Sequence, residues 1–182
     1  MSEMKEIVLE TPRLRLRWFR ESDFEELRLM AADPEVMRFI GGTLTTDFEV
    51  WRLMAWSMGH WYFRGFGAWA VEEKTTGKFV GRIGFIYPTG WPGFELGWTL
   101  VRQSWGKGYA TEGARRALEY GFTEMKRDHV ISLIAPENIN SIRVAERLGE
   151  TVEGKTELLG KQVLIYGISR EQWEMQSRKV KQ

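Results

Sequence analysis

The chain contains no cysteine, which excludes disulfides, thiolate nucleophiles and thiolate-bound metals. It has only two histidines, His60 and His129, far apart in sequence, so a histidine-rich metal site is not expected. Neither sign of charge dominates: 26 Lys and Arg stand against 25 Asp and Glu. The basic surplus or stripe of a nucleic-acid binder is therefore missing. No run is long and apolar enough to span a bilayer. Residues 1–6 carry no apolar stretch behind a basic start, so no signal peptide is expected. The lack of cysteine agrees with a reducing, cytoplasmic setting.

What is present suits a soluble globule: hydrophobic residues make up 43% and charged residues 28%. A length of 182 residues supports one sizeable core, and no repeat, low-complexity tract or linker-like shift divides it, so residues 1–182 read as a single domain. Nine tryptophans are unusual, and Trp51, Trp56 and Trp61 fall in one stretch. Most are expected in the core, with some free to line a pocket.

Patterning gives the element order. Residues 14–18 alternate apolar with Arg, as a strand with one wet face does. Ser22 with Glu25 forms a capping box for a helix reaching about Ala32. Asp33-Pro34 restarts a short helical turn, which Gly41-Gly42 breaks. Thr46 or Asp47 can cap a long helix to about Phe63, with Phe48, Trp51, Ala55, Met58 and Tyr62 on one face. Residues 69–72 and 79–87 read as a hairpin turned at Gly77. Residues 94–101 form the next strand, with Glu95, Gly97 and Thr99 sharing one face.

A helix follows to about Met125, with Ala110, Ala114, Leu118 and Phe122 as its buried stripe. Residues 130–135 form a short strand, and residues 140–148 a helix closed by Gly149. A hairpin turns around Gly160-Lys161, and Ser169 with Gln172 caps a last polar helix. The strand–helix–strand unit over residues 94–135 predicts a parallel or splayed pair joined by a crossover. The fold class is α+β, with an antiparallel first half.

The segment Gln103-Ser104-Trp105-Gly106-Lys107-Gly108 lies between a strand and a helix start. Two glycines allow a tight turn that exposes backbone N–H groups, and the helix start adds unpaired donors and the positive end of its dipole. Such a loop is either an anion site suited to a pyrophosphate or an ordinary tight turn. A dinucleotide-binding oxidoreductase is disfavoured, because Thr111 stands where a third small residue belongs and Asp128 precedes the next strand rather than ending it. A P-loop needs Ser or Thr where Gly108 stands. No Gly-x-Ser-x-Gly elbow occurs.

Gln103-x-x-Gly106-x-Gly108 resembles the Q/R-x-x-G-x-G/A acyl-CoA loop of the GNAT N-acetyltransferase superfamily. Its surroundings resemble the RimJ/RimL-like branch: Glu95-Leu96-Gly97-Trp98, Tyr109-Ala110-Thr111-Glu112, the run Thr11-Pro12-Arg13-Leu14-Arg15-Leu16-Arg17, and Asn138-Ile139-Asn140-Ser141-Ile142-Arg143-Val144. The resemblance spans about residues 9–174. It implies a mixed, mostly antiparallel sheet whose central strands splay to admit acetyl-CoA, and direct attack by an acceptor amine, with no metal. It places Gln103, Gly106, Lys107, Gly108, Tyr109 and Ala110 at the pyrophosphate, with Lys107, Arg102 and Arg115 as candidates to meet phosphates; a solvated surface charge is the alternative for each and the preferred reading of Arg115. It puts Asn138 on the pantetheine arm and Ser141 beside the departing thiolate; a helix cap and a first-turn serine are the plainer readings of those two.

Glu95 is the candidate general base, since an ammonium must lose a proton before it attacks; an exposed strand residue is its alternative. Many superfamily members carry Tyr four residues beyond the Ser141 position, where this chain has Ala145, and often an aromatic after Gly149, where it has Glu150. Tyr166 on the last hairpin is a core residue or a site residue. The acceptor region implied by the family, about residues 40–63 and 87–91, is aromatic and holds only Asp47 and Glu49 as acids. A peptide N-terminal amine or a small amine therefore suits it better than a polycation. A homodimer is implied by resemblance alone. The alternative from another class is a non-catalytic acyl-CoA-binding sensor, which Ala145 keeps open.

Overall fold

The computed structural model describes residues 5–179; Met1, Ser2, Glu3 and Met4, part of the segment read as lacking a signal peptide, lie outside them. The chain runs β1 (Leu9–Glu10), β2 (Leu14–Arg17), α1 (Phe24–Ala32), α2 (Pro34–Met37), α3 (Asp47–Arg64), β3 (Ala68–Glu73), β4 (Phe79–Ile86) and β5 (Glu95–Leu100). It continues through α4 (Tyr109–Thr123), β6 (His129–Ile134), α5 (Ile139–Leu148), β7 (Thr151–Leu158), β8 (Lys161–Ser169) and α6 (Arg170–Lys179). One eight-stranded sheet has the order β1-β2-β3-β4-β5-β6-β8-β7, antiparallel at every pairing except β5–β6.

That exception is the predicted splay. A single register pair, Glu95 with Ile131, joins β5 to β6. Beyond it side chains take over from the backbone ladder: Ser132 Oγ donates to the Leu96 carbonyl at 2.9 Å. The gap opens toward the carboxyl ends of both strands, where α4 and α5 begin. One sheet face carries α4, whose Ala114, Ala117, Leu118 and Phe122 pack with Ile83, Phe85 and Leu96. The opposite face carries α1–α3, where Leu27, Met30, Val36 and Val50 cluster with Ala70 and Phe79.

Two local expectations are corrected. The Ser22–Glu25 capping box does not form; the chain enters α1 through a 3-10 turn at Glu21–Asp23. Asp23 is turned inward instead, gripped by Arg17 through both guanidinium termini at 2.7 and 2.8 Å, and it accepts the Arg20 N–H. A buried bidentate ion pair outcompetes a surface cap. On α3, Phe48, Trp51 and Tyr62 are exposed, and the inward residues are Val50, Ser57, His60 and Trp61. The face with the most aromatic surface is thus not the one the core selects. Trp61 and Trp69 are fully buried, whereas Trp51, Trp56 and Trp105 are exposed.

Helix α4 lies close on the sheet because two of its inward positions are glycine. A Cβ on Gly121 would stand 2.8 Å from Phe85 Cζ, and that ring is itself stacked on Phe94. Gly121→Val should cost about 1–3 kcal/mol by overpacking. Gly59 on α3 meets nothing within 4 Å, so Gly59→Ala should gain about 0.5–1 kcal/mol. Thermal unfolding of the two variants checks both signs; equal effects would refute the packing argument.

Candidate active site

The site is built around the open end of the splay. After β5, a 3-10 turn at Arg102–Ser104 leads into Trp105, whose indole N–H donates to the Leu100 carbonyl at 2.9 Å. Gly106 and Gly108 follow with φ of 75° and 80°, a region that L side chains rarely enter. Gly108 is the N-cap of α4, and no side chain caps the helix. Among the described residues, the first-turn N–H groups of Tyr109 and Ala110 have no acceptor. This cradle of glycines and unpaired amides fits a phosphate group.

The loop is braced from the N-terminal strand region. Thr11 Oγ1 donates to Glu112 Oε1 at 2.6 Å, and Arg13 Nε donates to Glu112 Oε2 at 2.6 Å. Arg13 Nη1 also reaches the Lys107 carbonyl at 3.0 Å, and the guanidinium covers the Tyr109 ring. The Tyr109 side chain is buried and its hydroxyl donates to Glu73, so this residue offers the site its backbone N–H, not its phenol. Gln103 and Lys107 are exposed and border a cavity of about 470 Å³ between this loop, α1 and the β3–β4 turn. Arg102 is paired with Asp33 at 3.2 Å, and Arg115 donates to the Arg147 carbonyl at 2.9 Å, which ties α4 to the end of α5. Each thus has a partner within the protein.

Across the gap, Asn138 is the N-cap of α5; its Oδ1 accepts the Ser141 N–H at 3.2 Å. The amide NH₂ of Asn138 and the Ser141 hydroxyl have no partner among the described residues. Ala145 is fully buried and packs with Ile134 and Tyr166. Tyr166 is thus a core residue lying against Ala145. Burial holds its phenol above its ordinary value.

Glu95 starts β5 at the apex of the splay and is about nine-tenths buried. Its Oε2 accepts the indole N–H of Trp91, and the Leu133 N–H donates to the same carboxyl group. Burial outweighs these bonds and pushes Glu95 up to about 7. The group therefore exchanges a proton near neutrality, as a general base must. A Cβ placed on Gly97 would find only Glu95 Oε1 near it, at 3.9 Å, so the face beside the carboxyl is open.

Sequence reasoning brought together Glu95, Asn138, Ser141 and the glycine loop, all around the splay. It missed Trp91 as the Glu95 donor, which no local pattern signals. It missed Thr11, Arg13 and Glu112 as the brace, although each lies in a quoted segment. Among the described residues there is no cluster of metal-binding side chains, and no helix is long and apolar enough to cross a membrane.

Residues 13–151 match the family described as "Acetyltransferase (GNAT) domain". The chain is 34% identical over 161 residues to the uncharacterized protein YkkB of Bacillus subtilis, covering 87% of this chain and 93% of that one. It is 31% identical over 148 residues to the uncharacterized N-acetyltransferase p20 of Bacillus licheniformis, covering 80% and 83%. The solved structure of an acetyltransferase from Agrobacterium tumefaciens superposes with a TM-score of 0.81 at 30% identity, over 89% of this chain and 94% of that one.

Proposed function

The chain belongs to the GNAT acetyltransferase family and is an acetyl-CoA-dependent acetyltransferase, and from that premise we propose that it acetylates a primary amine, a protein N-terminus or a small molecule, by direct attack. The observation that carries this reading is a titratable carboxyl, Glu95, at the apex of a strand splay whose open end holds an uncapped, glycine-flanked helix start. Acetyl-CoA supplies an activated acetyl thioester. The amides around Gly106, Lys107, Gly108, Tyr109 and Ala110 hold its pyrophosphate, with Gln103 at the mouth of the loop. Asn138 hydrogen-bonds the pantetheine arm through its free NH₂ group.

Glu95 takes the proton from the acceptor ammonium, directly or through one water, so that nitrogen can attack the acetyl carbon. The carbon–sulfur bond breaks, the Ser141 hydroxyl hydrogen-bonds to the departing thiolate, and the second proton lost by the attacking nitrogen ends on that sulfur as the free thiol. The branch read from the sequence is RimJ/RimL-like, the working form a homodimer and the setting cytoplasmic.

The test is acceptor-dependent thiol release from acetyl-CoA with peptides and small amines, followed by mass spectrometry of the product. Ser141→Ala should lower kcat about 10-fold or more, with the acetyl-CoA Kd nearly unchanged. Transfer to a hydroxyl, or tight binding without any release, would overturn the reading.

A further inference from the structure

Arg82 is a cation that the acetyl-transfer chemistry leaves unused. It lies on β4, paired across the sheet with Thr99 of β5 and Ala70 of β3. Its neighbour Ile83 faces α4, so Arg82 faces the opposite side of the sheet, the side of Glu95, Gly97 and Thr99. It is half-buried, and no carboxylate ion-pairs with it among the described residues. Every other arginine on the inner strands has a partner; Arg17, for example, is held by Asp23 and Glu72.

The sheet floor between Arg82 and Glu95 is bare of side chains on both strands. Gly97 and Gly84 pair with each other there, and the Glu95 carboxyl leans over Gly97, with Oε1 3.9 Å from where a Cβ would stand. Arg82 and Glu95 lie close enough that each charge acts on the other, and Glu95 is the acid that opposes the burial cost of Arg82. Four residues of strand separate Glu95 from Thr99, about 13 Å of backbone, and an arginine side chain spans much of it. One end of this floor accepts a proton; the other presents a fixed positive charge that no carboxylate contacts directly among the described residues. No Arg82 nitrogen is buried without a partner, so the guanidinium reaches solvent, and its planar fork matches a carboxylate.

We propose that the acceptor is a small amino acid or amino-acid-like amine, whose carboxylate docks on Arg82 while its amine faces Glu95. This rests on the acetyl-transfer reading and narrows its substrate class. It explains why the acceptor side carries few acids: a zwitterion needs one cation and one base, whereas a polycation needs several carboxylates.

The test uses the full chain with saturating acetyl-CoA and the common amino acids, each beside its carboxamide and its decarboxylated amine. Simple amines and short peptides complete the panel. Free acids should exceed their amides in kcat/KM on the order of 10²-fold or more. Arg82→Met should remove that preference, mainly through KM for the acid, and Arg82→Lys should keep part of it. Acetyl-CoA affinity, measured by calorimetry, reports whether each variant is folded and loaded. Amides or simple amines used as well as acids, or Arg82→Met slowing every acceptor alike, would overturn the proposal while leaving amine acetylation standing. Release with no acceptor at all would overturn acetyl transfer itself, and this proposal with it.

Discussion

Glu95→Gln should lower kcat by about 10²–10⁴-fold and leave the Kd for acetyl-CoA within a few-fold. The amide keeps the shape and can still accept the Trp91 indole N–H, but it cannot take a proton. The pH profile gives the sharper test. Wild-type kcat/KM should rise about tenfold per unit below pH 7 and bend near the ionisation of Glu95, about 7, because the base works only when deprotonated. The acceptor's own ionisation affects both proteins equally, so the ratio of the two profiles isolates Glu95. A ratio flat from pH 5.5 to 8.5 would remove Glu95 from the proton path. Trp91→Phe tests the same assignment from the other side. The indole N–H stabilises the carboxylate, so its loss should move the bend to higher pH.

Much of this site was legible because its parts are local. The glycines at 106 and 108 and the helix after them are a short-range pattern, and the backbone geometry there follows from a stretch of six residues, Gln103 to Gly108. Thr46 with Glu49 caps α3 as the spacing requires, with bonds of 3.0 and 3.3 Å. The illegible parts are those decided at long range. Ser22 and Glu25 have the spacing of a cap, but Asp23 is drawn inward by Arg17, which Glu72, 55 residues further on, also holds. Burying that ion pair decided the helix start. Arg13 and Glu112 are 99 residues apart, and only the folded sheet brings them together. On α3 the expected aromatic stripe and the observed inward stripe are offset by about one residue, a 100° rotation that periodicity alone does not fix. Arg82 stood in plain sight as a charge within an alternating strand, but its meaning needed the faces of β4 and β5 to be known.

Glu150→Gln should raise stability at alkaline pH and leave it nearly unchanged near pH 5. The side chain is 2% exposed, its Oε1 lies 3.1 Å from Ser132 Oγ, and its Oε2 has no partner. Burial, with the carboxylates of Glu153 and Glu95 adding to it, pushes Glu150 up to about 8. Its neutral form suits this setting. A proton on Oε1 is donated to Ser132 Oγ, which leaves the single serine proton for the Leu96 carbonyl. Ionised, the carboxylate needs that same proton, and Ser132 cannot serve both. The folded form therefore binds a proton more tightly than the unfolded chain, whose Glu titrates near 4.5. Its stabilisation is complete below pH 4.5 and is lost as pH rises toward 8. A shift of that size is worth on the order of 4 kcal/mol, or roughly 10 °C in Tm for a chain of this length. Glutamine donates to Ser132 as the neutral acid does and has no charge to bury, so its Tm should fall far less between pH 5 and pH 9. Thermal scans by circular dichroism across that range measure both slopes, and parallel slopes would show that folding does not raise the ionisation of Glu150. The consequence reaches the chemistry, because Leu96 sits between Glu95 and Gly97. The Glu150 carboxyl thus holds the apex of the splay through Ser132, and its ionisation should loosen the strand carrying the base.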